Sequence, residues 1–184
     1  MKTRRLFAGV AVEATEAVRG VAAALRRELR EERIRWVRPE NLHLTLEFFG
    51  ETEEGRLPEL EAALAKAAAG TRVFTMKIGG PGAFGGARHP CVVWLGIDSE
   101  GLRELRGRAA AALREAGWEP EPRGFAPHLT LGRMEGVRDL RRFREAMECN
   151  REPPAQEQAV KELVLFESVS GQYVALSKWP LLGP

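Results

Sequence analysis

The tetrapeptide His-Leu-Thr-Leu occurs twice, as His43-Leu44-Thr45-Leu46 and His128-Leu129-Thr130-Leu131, and accounts for two of the three histidines in a chain of 184 residues. An imidazole titrates near pH ~6.5, so one ring can be neutral and accept a proton while another is charged and donates one. A hydroxyl beside each ring is fit to hold an anionic phosphate oxygen. Two such pairs facing each other across a phosphodiester would place a base on the side of the attacking water. They would also place an acid on the side of the leaving oxygen, and the chemistry needs no metal.

Arginines near the motifs add to this reading. Arg133 stands five residues past His128, and the intervening Gly132 offers a bend that re-aims it. One arginine for phosphate and an aromatic for base stacking are what an RNA terminus requires, and Phe125 precedes the second motif. Arg38 and Arg123 read as solvated surface charges, and His89 lacks the motif and reads as incidental. A metal cage fits poorly, because two histidines have no third His, Cys or carboxylate at ligand spacing. Gly80-Pro81-Gly82-Ala83-Phe84-Gly85 matches GxGxxG letter for letter. It precedes an expected strand rather than opening a helix, so the dinucleotide reading fails.

Strands must carry these groups. Leu42, Leu44, Leu46 and Phe48 alternate with His43, Thr45 and Glu47, the period of two that puts imidazole and hydroxyl on one face and leucines on the other. The second copy alternates in the same way. Around them the pattern predicts a strand over 5–12, a helix over 13–30, a second helix over 55–69 and a strand over 71–78. It then predicts a strand over 91–97, helices over 100–116 and 139–149, and closing strands near 160–166 and 173–179. Both halves read strand, helix, His strand, helix, strand. The Gly-rich stretch 79–90 is the candidate linker, giving one bilobal domain over 1–184 with halves of about 1–80 and 90–184.

The whole chain narrows the choices. With 28 basic and 26 acidic residues the net charge of +2 is too balanced for non-specific coating of nucleic acid, yet it leaves room for a local basic cleft. Two cysteines, Cys91 and Cys149, make no disulfide framework, and a cytoplasmic location is the default. Thr3-Arg4-Arg5-Leu6-Phe7 imitates a twin-arginine signal, but Glu13 and Glu16 interrupt the apolar stretch and it reads as a first strand. No apolar run approaches the ~18 residues of a membrane span, and a monomer with no membrane partner is expected.

With these residues in place, the chain resembles the two-histidine (2H) phosphoesterases, and within them the RNA 2′,3′-cyclic phosphodiesterases, also called 2′-5′ RNA ligases. The resemblance runs through Arg5-Leu6-Phe7-Ala8-Gly9-Val10, through 36–50 around the first motif, and through Phe125-Ala126-Pro127-His128-Leu129-Thr130-Leu131-Gly132-Arg133. It closes with Leu165-Phe166-Glu167-Ser168 and 173–181. It implies an α+β fold, bilobal and pseudo-symmetric, with two antiparallel sheets lining a central cleft and helices outside. It implies hydrolysis of RNA or oligonucleotide 2′,3′-cyclic phosphate termini to 2′-phosphates, with neither metal nor cofactor. On the motif match His43 is the proton donor and His128 the proton acceptor, while Thr45, Thr130 and Arg133 hold the phosphate. One departure is His89-Pro90-Cys91, where the family often has Arg-Pro-Arg. Two alternatives stay open: the reverse reaction, 2′-5′ RNA ligation, and an RNA-end binding module without turnover.

Overall fold

The computed structural model describes residues 2–86, 88–121, 124–154 and 156–183; Pro122 and Arg123, on the approach to the second motif, lie outside them. The strands are β1 (Thr3–Ala11), β2 (Arg35–Trp36), β3 (His43–Glu53), β4 (Phe74–Gly86), β5 (His89–Asp98), β6 (His128–Arg133), β7 (Gln156–Val160), β8 (Glu162–Val169) and β9 (Gln172–Pro180). The helices are α1 (Glu16–Glu28), α2 (Leu57–Ala69), α3 (Glu100–Glu115) and α4 (Leu140–Cys149).

Local chemistry explains the helix starts. The side chains of Thr15, Ser99 and Asp139 accept hydrogen bonds from the backbone N–H groups of Val18, Leu102 and Arg142, capping α1, α3 and α4. The Thr15 cap is why α1 opens at Glu16 rather than at Glu13. Pro58 occupies the first turn of α2, where its missing N–H costs nothing.

Two antiparallel sheets form, in the orders β3-β1-β8-β9 and β2-β6-β5-β4-β7. The α+β fold with two sheets and outer helices is therefore as expected, but the division of the chain is not. The first half runs β1-α1-β3-α2-β4 and the second β5-α3-β6-α4-β8. Each half's closing strand sits in the other half's sheet: β4 pairs with β5, and β8 pairs with β1. The boundary at 1–80 and 90–184 is thus corrected, since the lobes are built from both halves.

The candidate linker is corrected with it. Described residues of 79–90 complete β4 and begin β5, joined as a hairpin. The glycines are there for close approach. A Cβ on Gly80 would fall 2.0 Å from the Arg151 carbonyl oxygen, and one on Gly82 would fall 2.1 Å from the Trp94 indole. Short β7, not anticipated, pairs with β4 on that sheet's outer edge. The Ser170–Gly171 turn joins β8 to β9 with φ of 49° and 80°, the positive values a tight hairpin turn demands.

One apolar core spans both lobes, with Leu6, Leu25, Leu44, Leu64, Leu95, Leu105 and Leu129 almost fully buried. Leu44 and Leu129, inside the two motifs, anchor both His strands to it. A smaller cluster of Phe7, Val164 and Phe166 lies apart from that core.

Candidate active site

Both His strands lie at or next to the margin of their sheets, and β3 and β6 approach within 8 Å, Cα to Cα. Their neighbours repeat as well. Ala11 on β1 lies opposite His43, and Gly96 on β5 lies opposite His128.

The two rings are held alike. His43 Nδ1 lies 2.7 Å from the Asn41 carbonyl oxygen, and His128 Nδ1 lies 2.8 Å from that of Ala126. A carbonyl only accepts, so Nδ1–H donates in both rings and Nε2 is the nitrogen left for chemistry. The neutral ring therefore offers Nε2 as an acceptor, and the charged ring offers Nε2–H as a donor. Phe7, with its centroid 4.7 Å away, and Tyr173, at 4.6 Å edge-on, wall the His43 ring. Phe84, at 4.7 Å edge-on, does the same for His128.

Burial holds both imidazoles below their ordinary value, opposed by the carbonyl hydrogen bonds. The positive charge of Arg133 presses both further down, and the charge of His128 adds to this at His43. The two imidazoles and the guanidinium thus share one electrostatic field. Thr45 and Thr130 are half-buried beside their histidines, and neither hydroxyl has a partner among the described residues.

How Arg133 reaches the site is a matter of register. In β6, Thr130 pairs with Trp94 and Gly132 with Val93, so Leu131 is an extra residue. β3 carries the matching irregularity, Thr45 pairing with Gly9 and Glu47 with Ala8, with Leu46 skipped. An extra residue shifts the alternation of side chains by one. Leu131–Gly132 and Leu46–Glu47 are both buried in succession, and the next residue of each strand, Arg133 or Phe48, turns outward again. Equivalent positions thus carry a cation on one wall and an aromatic ring on the other.

Two grooves flank the histidines. One, of about 470 Å³, is lined by Thr45, Phe48, Phe84, Phe125, His128 and the Glu47–Arg106 pair. The other, of about 350 Å³, runs past Arg35, Arg38, Asn41, Arg133 and Tyr173. Of the five sequence-derived residues, Thr45 and His128 line the first groove and Arg133 the second, while His43 feels the charges of both His128 and Arg133; Arg38, read as a solvated charge, lines the second groove. His89 is exposed at the start of β5.

Sequence reasoning misses Glu47, Arg106 and Phe48. Glu47 Oε2 is 3.0 Å from Arg106 Nη2, and its other oxygen accepts from the Glu121 backbone N–H. Arg106 also donates to the Glu121 carbonyl at 2.8 Å. The pair clamps α3, β3 and the approach to the second motif together. Burial pushes the Glu47 carboxyl above its usual range, more than the Glu121 N–H and Arg106 pull it back. The available signal is Glu47 itself, a carboxylate four residues past His43 on the polar face. Among the described residues no group of three or more His, Cys, Asp or Glu converges on a point, and no helix is long and apolar enough to cross a membrane.

A two-lobed cleft with a His-x-Thr strand on each wall is the architecture of a two-histidine phosphoesterase. The family model described as the 2′-5′ RNA ligase superfamily matches residues 11–172, and the chain belongs to that family. A curated relative named RNA 2′,3′-cyclic phosphodiesterase, from Methanothermobacter thermautotrophicus, is 34% identical over 148 residues, 79% of this chain and 78% of the relative. Among solved structures, TT0787 of Thermus thermophilus superposes with a TM-score of 0.76 at 28% identity, covering 97% of this chain and 98% of its own. E. coli LigT complexed with 3′-AMP gives a TM-score of 0.71 at 26% identity, covering 98% and 99%.

Proposed function

We propose that the chain is an RNA 2′,3′-cyclic phosphodiesterase, which opens the cyclic phosphate at an RNA 3′ end to a 2′-phosphate and a free 3′ hydroxyl. The observation that carries this reading is the paired environment of His43 and His128: like Nδ1 tethers, Nε2 atoms without a partner among the described residues, and strands β3 and β6 that approach within 8 Å.

Neutral His128 accepts a proton from water at Nε2 as the water oxygen attacks phosphorus. The bond from phosphorus to the 3′ oxygen breaks, and charged His43 gives its Nε2 proton to that oxygen. One turnover thus leaves His128 charged and His43 neutral, and proton exchange with solvent restores both. The Thr45 and Thr130 hydroxyls and the Arg133 guanidinium hold the phosphate oxygens, where charge builds as water adds. Because the rings are held alike, the assignment of donor and acceptor follows the family resemblance rather than a difference in geometry. Phe48, Phe84 and Phe125 offer stacking faces for the terminal base.

The test is incubation of RNA ending in a 2′,3′-cyclic phosphate with wild type, His43→Ala and His128→Ala in EDTA, the products being separated by chromatography. Wild type should release the 2′-phosphate end, and each variant should lose roughly 10²–10⁴-fold in rate. Turnover within a few-fold of wild type in either variant overturns the reading, while tight RNA-end binding by wild type without turnover favours the binding module.

A further inference from the structure

The groove on the Tyr173 side of the histidines carries charge that the protein leaves unanswered. Arg35 and Arg133 are directly opposed in the β2–β6 pair, and like charges at opposed strand positions are destabilising. Some other arginines of the chain are answered by carboxylates: Arg4 by Glu54 and Glu167, Arg106 by Glu47, Arg108 by Glu104 and Arg141 by Glu145. Among the described residues, Arg35, Arg38 and Arg133 make no ion pair.

The wall that bears them is built firmly. Arg26 donates from Nη2 to the Val37 carbonyl at 3.0 Å and lies over the Trp36 ring at 5.5 Å, while Val37 N donates to the Leu131 carbonyl at 2.8 Å. Asn41, whose carbonyl tethers His43, donates its side-chain amide to the Gly171 carbonyl at 3.3 Å and closes the far side. The groove on the other side of the histidines has the opposite character, with three phenylalanines and the Glu47 and Glu121 residues along it. Phosphates are drawn to the first groove and a base to the second.

We propose that Arg35 and Arg38 form a subsite for the phosphodiester immediately upstream of the reacting terminus, so that the RNA leaves the cleft across the β2 wall. This rests on the cyclic-phosphate reading of the cleft and adds a direction to it. Arg133 serves the reacting phosphate, whereas Arg35 and Arg38 serve its neighbour, and a substrate without that neighbour does not engage them.

The experiment compares wild type with Arg35→Gln/Arg38→Gln on two substrates: a nucleoside 2′,3′-cyclic monophosphate, and a short single-stranded RNA ending in the same nucleotide and cyclic phosphate. For the RNA, KM should rise about tenfold or more with kcat kept, the loss expected when charge-assisted hydrogen bonds disappear. The salt dependence of log KM for the RNA should flatten by roughly 0.7, the value for one single-strand phosphate no longer neutralised. Turnover of the cyclic mononucleotide should not change, which also shows that the variant folds. Equal losses on both substrates, or no change on either, overturn the subsite. Should wild type turn over neither, the activity reading fails and binding decides this inference alone. Fluorescence anisotropy of a 2′-phosphate-terminated RNA must then weaken in the variant by the same factor, while competition by the nucleoside 2′-phosphate stays constant; any other pattern refutes it.

Discussion

Replacing Gly82 with alanine probes how the floor beneath His128 is held. Gly82 on β4 lies opposite Trp94 on β5, and an added Cβ would fall 2.1, 2.3 and 2.5 Å from three atoms of the Trp94 indole. Carbon atoms rest at about 3.5–4.0 Å, so the ring must retreat by about 1.4 Å or more, or the strands must part. Its room to do so is limited. The indole packs on Phe84 at 5.1 Å and lies 6.4 Å from His128, while Phe84 meets His128 edge-on at 4.7 Å. Overpacking of this kind costs about 1–3 kcal/mol, and moving a reacting group by ~1 Å costs about 10²-fold in rate. Urea denaturation and initial rates on cyclic-phosphate RNA read both effects. Gly86→Ala on the same strand is the control, since nothing lies within 4 Å of its added Cβ. Should Gly82→Ala match Gly86→Ala in stability within ~0.5 kcal/mol and keep its rate, the close packing under His128 has no functional weight.

Three further outcomes follow from the site's electrostatics. Because burial and Arg133 lower both imidazoles from 6.5, kcat/KM should trace a bell centred on the acidic side of pH 6.5. It should fall at low pH as His128 becomes charged and at high pH as His43 loses its proton. Arg133→Gln removes a cation that disfavours both imidazolium forms, so its bell should move to higher pH, and an unmoved or acid-shifted profile contradicts the shared field. Glu47→Ala strands the Arg106 guanidinium, whose side chain is 18% exposed, without its carboxylate. Loss of one partner from a buried pair costs about 3 kcal/mol or more, and a urea midpoint equivalent to less than ~1 kcal/mol would show that the clamp is dispensable.

The two motifs are legible in the sequence because their own alternation places His43 with Thr45 and His128 with Thr130, and that information is local. Arg133 is within reach only through Gly132. Five residues past His128 is the wrong parity for a regular strand, and the skipped Leu131 restores it. Phe48 stands five residues past His43 and escapes notice for the same reason, as the apolar alternation assigns it to the core while the skipped Leu46 turns it outward. The segment 79–90 misleads because glycine signals flexibility in isolation. Only the partners brought by distant chain, Trp94 and the Arg151 carbonyl, show that a side chain would not fit. Glu47 is visible as a polar residue on the motif face, but its partner Arg106 comes from α3, far along the chain, and no pattern of spacing links them.

The crossing of β4 and β8 between sheets has a consequence for how the two similar halves hold each other. Either half alone would present an unfinished sheet beside its opening strand and an orphan strand with nowhere to lie. A chain carrying one half could fold only as a pair of copies, each completing the other. Here the same mutual completion happens within one polypeptide, so the two sheets that carry His43 and His128 are joined by exchanged strands rather than by a tether.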